Sequence, residues 1–214
     1  ALFILDEMIT GFRWHLKGAQ YYYKIEPDLS TFGKAMANGY SVSAVAGKKE
    51  IMKLGSTELI GAERLFLLSS THGAEMGALG AFIATLKFIK SNGVINHNWE
   101  YGDRLISLIN EISLNHGLQN NFIAGGLGCN PYYTTLDKNG KTCLGLRTLF
   151  SQEMIKNKVL MPWISISYSH NNKELNITKK ALEKTLEIYK KALEFGYDKY
   201  LIGDVIKPVF RKYN

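Results

Sequence analysis

In "STFGKAMANG", residues 30–39, Lys34 stands between Gly33 and Ala35 in a run of small and apolar residues with no adjacent acid. Such an amine is a solvated side chain, a phosphate anchor or a reactive nucleophile. The phosphate-anchor reading fails. A phosphate loop needs an earlier glycine at fixed spacing and a Ser or Thr after the lysine, whereas Pro27 and Asp28 occupy that region and Ala35 follows. A second candidate is Asp6 in "LDEMITGFR", directly after an apolar run that reads as a buried strand. Ligands in open α/β sheets gather at the carboxyl ends of strands, although a helix cap or a turn is the ordinary role of such an aspartate. Asp6 and Lys34 fall near the ends of neighbouring elements and close to glycines, which let backbone approach a ligand. That combination raises the odds of a shared pocket.

A carboxylate and an amine converging on one pocket match the needs of pyridoxal phosphate. The lysine forms a Schiff base and the carboxylate keeps the pyridine nitrogen protonated, so that the ring can accept electrons. Taken together, "DEMITGFR", "PDLSTFGKAMANG" and "STHGAE" resemble the class III aminotransferases, a family of fold-type I pyridoxal-phosphate enzymes. The resemblance extends over nearly all of the chain, but only over the family's second half, so the chain is expected to be a piece of a longer protein and inactive alone. It implies an α/β fold: part of the large, mainly parallel-sheet domain followed by a C-terminal α+β small domain. Lys34 would carry the cofactor and, once released, act as the base of the proton shift. Asp6 would bind the ring nitrogen, and Met8 would pack on the ring face, unless it is simply a core methionine.

Thr71 falls on the family threonine that crosses a homodimer interface to the partner's cofactor phosphate. By itself, a threonine ending a strand and opening a helix is an anion site or a plain N-cap. Substrates would be a small-molecule amino donor and a carbonyl acceptor. Ile9, the "TGFR" ending and "LMP…SYSH" resemble the glutamate-1-semialdehyde 2,1-aminomutase branch. Against that branch, "WISISYS" between Pro162 and His170 is short and contains no acid. An intermolecular transaminase is therefore expected, with the aminomutase as the alternative and a catalytically incomplete scaffold as a second one. No arginine lies between Arg147 and Arg211 to hold a substrate carboxylate as in ornithine-type members, which suggests an acceptor such as a sugar or a polyketide-like aldehyde.

These residues need elements to position them. Ala1–Leu5 reads as a fully buried strand, "SVSAVAG" (41–47) as a second and "RLFLLSS" (64–70) as a third, with a short helix over "KKEIMKLG" ending at Gly55. Leu79, Phe82, Ile83, Leu86 and Ile89 recur at helical spacing and predict a helix over 74–91. Strands alternating with helices argue for a layer on a mainly parallel sheet. The remainder predicts a helix over 97–115, strand–turn–strand over "FIAGGLGCNPYYTTL", and a helix over "LRTLFSQEMIKNKVLM". A strand over 163–170 and a final helix striped by Leu182, Leu186, Tyr189 and Leu193 follow. The expected domains are 1–94, the remainder of the cofactor-binding domain, and 95–214, the small domain.

Composition narrows the function classes. An apolar content of 46% in 214 residues suits globular domains, and no apolar run approaches the roughly 20 residues of a membrane span. The net charge of +7 comes from scattered lysines; the densest group (Lys179, Lys180, Lys184, Lys190, Lys191) alternates with Glu183, Glu187 and Glu194 as a solvated helix face. Neither a nucleic-acid nor a membrane partner is expected. Two cysteines make no disulfide framework or metal site, and "ALFILDEMITG" has no basic leader or cleavage site. Both point to a cytoplasmic protein.

Overall fold

The structure is a computed structural model and describes residues 1–56, 58–61, 63–64 and 75–207. It divides into two units, 1–97 and 98–214.

In the first unit, β1 (Ile4–Asp6) and β2 (Leu29–Phe32) pair in parallel, with Ile4 opposite Leu29 and Asp6 opposite Thr31. A parallel pair needs a long crossover, and here it contains the short helix α1 (Ala19–Tyr23). The return to β3 (Ala44–Gly47) is shorter, and β3 lies antiparallel on the other side of β2, giving the order β1-β2-β3. Asp28 ties the entrance of this sheet together. It accepts from Lys48 at 2.6 Å and from the Phe3 amide at 2.7 Å, and both contacts hold its carboxyl below the usual carboxylate range. The expected helix after β3 is present as α2 (Lys49–Met52) and a 3-10 turn to Gly55, and α3 spans Met76–Ser91.

One expectation is corrected here. Residues 1–5 are not buried: Leu2, Phe3 and Ile4 are 57%, 48% and 56% exposed. Among the described residues β1 pairs with β2 alone, and the side chains of Leu2, Phe3 and Ile4 are left exposed. The sequence reading also missed β2, whose four residues "LSTF" are too short to show a period. Of the strand expected over 64–70, all but Arg64 lies outside the described residues.

The second unit is built on α4 (Val94–Asn115), the hairpin β4 (Phe122–Leu127) and β5 (Asn130–Thr135), α5 (Leu144–Lys156) and α6 (Asn172–Phe195). Leu105, Ile109 and Ile112 of α4 and Leu182, Leu186 and Tyr189 of α6 are buried, as their helical spacing predicts. Phe122, Tyr133, Phe150 and Tyr189 fill the centre. The Asn110 side chain takes the place of a neighbouring strand for Ala124, donating to its carbonyl at 3.0 Å and accepting from its amide at 2.9 Å. The hairpin turn rests on α4 at Gly102, where a Cβ would fall 1.7 Å from the Gly128 carbonyl oxygen. Helix α6 opens with a capping box: Asn171 accepts from the Lys173 amide, and Glu174 accepts from the Asn171 amide. That backbone hydrogen bond is the main reason the Glu174 carboxyl titrates below its ordinary range.

Residues 163–170 form no strand. Ile164 and Ile166 are buried while Ser165 and Ser167 are exposed, so the alternation is real. Instead of a ladder, side chains secure the segment's start: the Tyr133 hydroxyl donates to the carbonyls of Met161 and Pro162, and Arg147 donates to that of Pro162. Among the described residues no single helix is long and apolar enough to cross a membrane.

Candidate active site

Because β1 and β2 are parallel, their carboxyl ends lie at the same edge of the sheet. Asp6 is the last residue of β1, and Lys34 follows the last residue of β2 by one glycine. The strand register therefore places the two residues singled out by their chemistry at the same edge of the sheet. Asp6 uses one oxygen internally: Oδ1 accepts from the Met8 amide at 2.9 Å and from the Thr31 hydroxyl at 3.3 Å. Among the described residues Oδ2 accepts no hydrogen bond, and Asp6 is exposed.

Lys34 begins a 3-10 turn over Lys34–Met36, closed by the Met36 amide donating to the Gly33 carbonyl at 3.0 Å. Its backbone lies in the left-handed region at φ +44°, which a residue with a Cβ adopts at a cost of about 1 kcal/mol. Met36 and Ala37 are buried and anchor the turn, α3 packs against it, and the lysine side chain is exposed. Among the described residues its amine has no hydrogen-bond or ion-pair partner.

The Met8 thioether lies against Gly33: a Cβ there would fall 2.4 Å from Met8 Cε and 2.9 Å from its sulfur, so a side chain at 33 would push the thioether aside. The "TGF" run is explained in the same way. A Cβ on Gly11 would fall 2.7 Å from the Phe32 ring and 2.8 Å from the Glu7 carbonyl oxygen. Phe12 stacks edge-on against Phe32 and Phe82 at 5.8 and 6.0 Å, fastening the loop after β1 to β2 and α3. Thr71 lies outside the described residues. Thr31 and Glu7 were not foreseen as site residues. Thr31 could have been found from its place two residues before the Gly-Lys pair; nothing in the pattern marks Glu7.

What this edge offers is an amine unpaired among the described residues, a carboxylate with one oxygen uncommitted among them, and a thioether against Gly33. That set suits a planar heterocycle with a protonated ring nitrogen and a carbonyl that an amine can attack.

Comparison with known proteins finds relatives for this chain. Residues 1–125 match the family model described as aminotransferase class-III. The 3-aminobutyryl-CoA aminotransferase of Cloacimonas acidaminovorans is 33% identical over 195 residues, 90% of this chain and 45% of the relative. A glutamate-1-semialdehyde 2,1-aminomutase of Caldicellulosiruptor bescii is 30% identical over 187 residues, 81% of this chain and 43% of the relative. The chain thus spans about half the length of the curated relatives it matches. Among solved structures, the FumI protein of Sphingopyxis sp. MTA144, in a form carrying PLP, superposes with a TM-score of 0.76 at 21% identity, over 94% of this chain and 47% of that one. An omega-transaminase from Sphaerobacter thermophilus does so at 0.76 and 17% identity, over 88% and 44%. The fold is the one these proteins share.

Proposed function

This chain belongs to the class-III aminotransferase family, and we propose that it is the lysine-bearing part of a pyridoxal-phosphate-dependent transaminase. The observation that carries the proposal is the pairing of Asp6 and Lys34 at one sheet edge, each with its reactive atom uncommitted among the described residues. These residues fit the cofactor, which when bound supplies an electron sink for breaking the bond to hydrogen beside a substrate nitrogen. Lys34 Nζ would hold it covalently and, when free, would take and return the proton. Asp6 Oδ2 would accept from the ring nitrogen and keep it protonated. Met8 would pack on the ring. In a homodimer, Thr71 reaches the phosphate held by the partner subunit. The enzyme works in the cytoplasm on a small amino donor and a carbonyl acceptor. That no arginine lies between Arg147 and Arg211 favours an acceptor without a simple α-keto-acid carboxylate, such as a keto sugar or an aldehyde.

A second reading is an intramolecular amine shift, favoured by relatives named glutamate-1-semialdehyde 2,1-aminomutase. The two differ in the origin of the product nitrogen. With the protein that carries this chain and a ¹⁵N-labelled amino donor, the product is expected to carry ¹⁵N and to require the donor. Product formed without any donor would establish the shift and sink the transaminase reading.

A further inference from the structure

Glu7 is a carboxylate with 0% exposure, beside an exposed Asp6. A buried charge of this kind persists only when it is hydrogen-bonded, and Glu7 is. Its Oε2 accepts from the Ala19 amide at 2.8 Å and from the Thr10 hydroxyl, and its Oε1 accepts from the Gln20 amide at 2.8 Å. Residue 18 must leave room for the carboxylate. A Cβ on Gly18 would lie 2.4 to 2.7 Å from the three atoms of the carboxyl group, and its φ of +78° favours glycine as well. The backbone of Glu7 is fixed too: its amide donates to the Thr31 carbonyl of β2 at 2.9 Å, and its carbonyl accepts from the Gly11 amide at 2.8 Å. One residue thereby joins β2, the loop 7–11 and the segment 18–20.

Successive side chains of an extended backbone point to opposite faces. Asp6 is the last residue of β1 and Glu7 follows it, so with Glu7 held inward Asp6 is turned to the other face, where its carboxylate accepts from the Met8 amide at the start of the following turn. We propose that Glu7 is a positioning residue: its buried carboxylate fastens the Asp6–Thr10 segment to Gly18–Gln20 and so fixes the Asp6 carboxylate where the ring nitrogen of pyridoxal phosphate is held. The proposal rests on the cofactor reading above. It differs from a general stabilising role because its effect is local to residues 6–11 and 18–20 and reaches the cofactor through Asp6.

Glu7→Gln keeps the volume but can accept only through one atom, leaving a backbone donor facing an amide nitrogen. The test compares wild type, Glu7→Gln and Asp6→Asn in the protein that carries this chain. It measures pyridoxal phosphate affinity and, without cofactor, hydrogen exchange at the Met8, Gly11, Ala19 and Gln20 amides. Glu7→Gln is expected to speed exchange at all four about tenfold or more, leave α6 amides unchanged, and weaken cofactor binding in the same direction as Asp6→Asn. Wild-type exchange and affinity in Glu7→Gln, with weakened binding in Asp6→Asn, overturns the positioning role and leaves the cofactor reading standing. Unchanged binding in Asp6→Asn overturns both. Should Glu7→Gln not fold, Thr10→Val removes only the hydroxyl donor. A roughly threefold faster exchange at Met8 and Gly11 then supports the role, and unchanged exchange refutes it.

Discussion

Lys34→Ala is expected to abolish cofactor attachment and to lower transamination at least about 10³-fold, with the fold left intact. The separation of the two effects follows from the geometry. The side chain is exposed and, among the described residues, makes no hydrogen bond or ion pair, so its removal breaks no packing. The left-handed backbone at φ +44° burdens alanine about as much as lysine, and the folded state should change by no more than about 0.5 kcal/mol. Lys34→Arg makes a stricter control. A guanidinium keeps the charge but cannot give up its proton at working pH, so it should fail as completely as alanine. Activity with the cofactor in excess, beside a thermal melt, checks both halves. A variant that keeps wild-type turnover would remove Lys34 from the chemistry, and one that unfolds would give the lysine a structural role.

The largest stability effect is expected at Phe122, whose side chain is fully buried in the second unit. Its ring lies 4.7 Å from Phe150, 5.5 Å from Tyr133 and 5.6 Å from Tyr189, so three elements meet on it. The surrounding rings are themselves held in place. Tyr133 is tied through its hydroxyl to Met161 and Pro162, and Tyr189 to Asn121 and Leu136. They cannot collapse into the space that alanine leaves, which places Phe122→Ala at about 3–5 kcal/mol. Against a total of roughly 5–15 kcal/mol for a domain, that is a large share. A urea titration followed by far-UV circular dichroism should show the midpoint falling with little change in slope. A loss below about 1 kcal/mol would mean that the rings repack.

The sequence revealed these two sites to different degrees. Helix α6 and the β4–β5 hairpin could be read because burial imposes a period: Leu182, Leu186 and Tyr189 recur at helical spacing, and the glycines of "GGLGCN" punctuate alternating strands. Lys34 stood out by chemical type among small and apolar neighbours, and Asp6 by its place directly after an apolar run. Their juxtaposition depends on the pairing of Asp6 with Thr31, and β2 is too short for any period to announce it. Burial of residues 1–5 was read from composition alone, yet composition does not say whether a second layer covers a strand. The segment 163–170 kept its alternation of buried and exposed residues without a ladder, because a period of two records which face is covered and not what the backbone pairs with. Glu7 was invisible for a related reason. Its partners Ala19 and Gln20 contribute backbone amides, and backbone groups have no signature in side-chain sequence.

The identity of the cofactor-bearing amine can be read directly. The protein that carries this chain is incubated with pyridoxal phosphate, the linkage is reduced with borohydride, and the peptides are weighed. The phosphopyridoxyl mass is expected on the peptide containing Lys34 and is expected to disappear from it in Lys34→Ala. A pyridoxyl group on another lysine, such as Lys17 or Lys24, or on none, would contradict it.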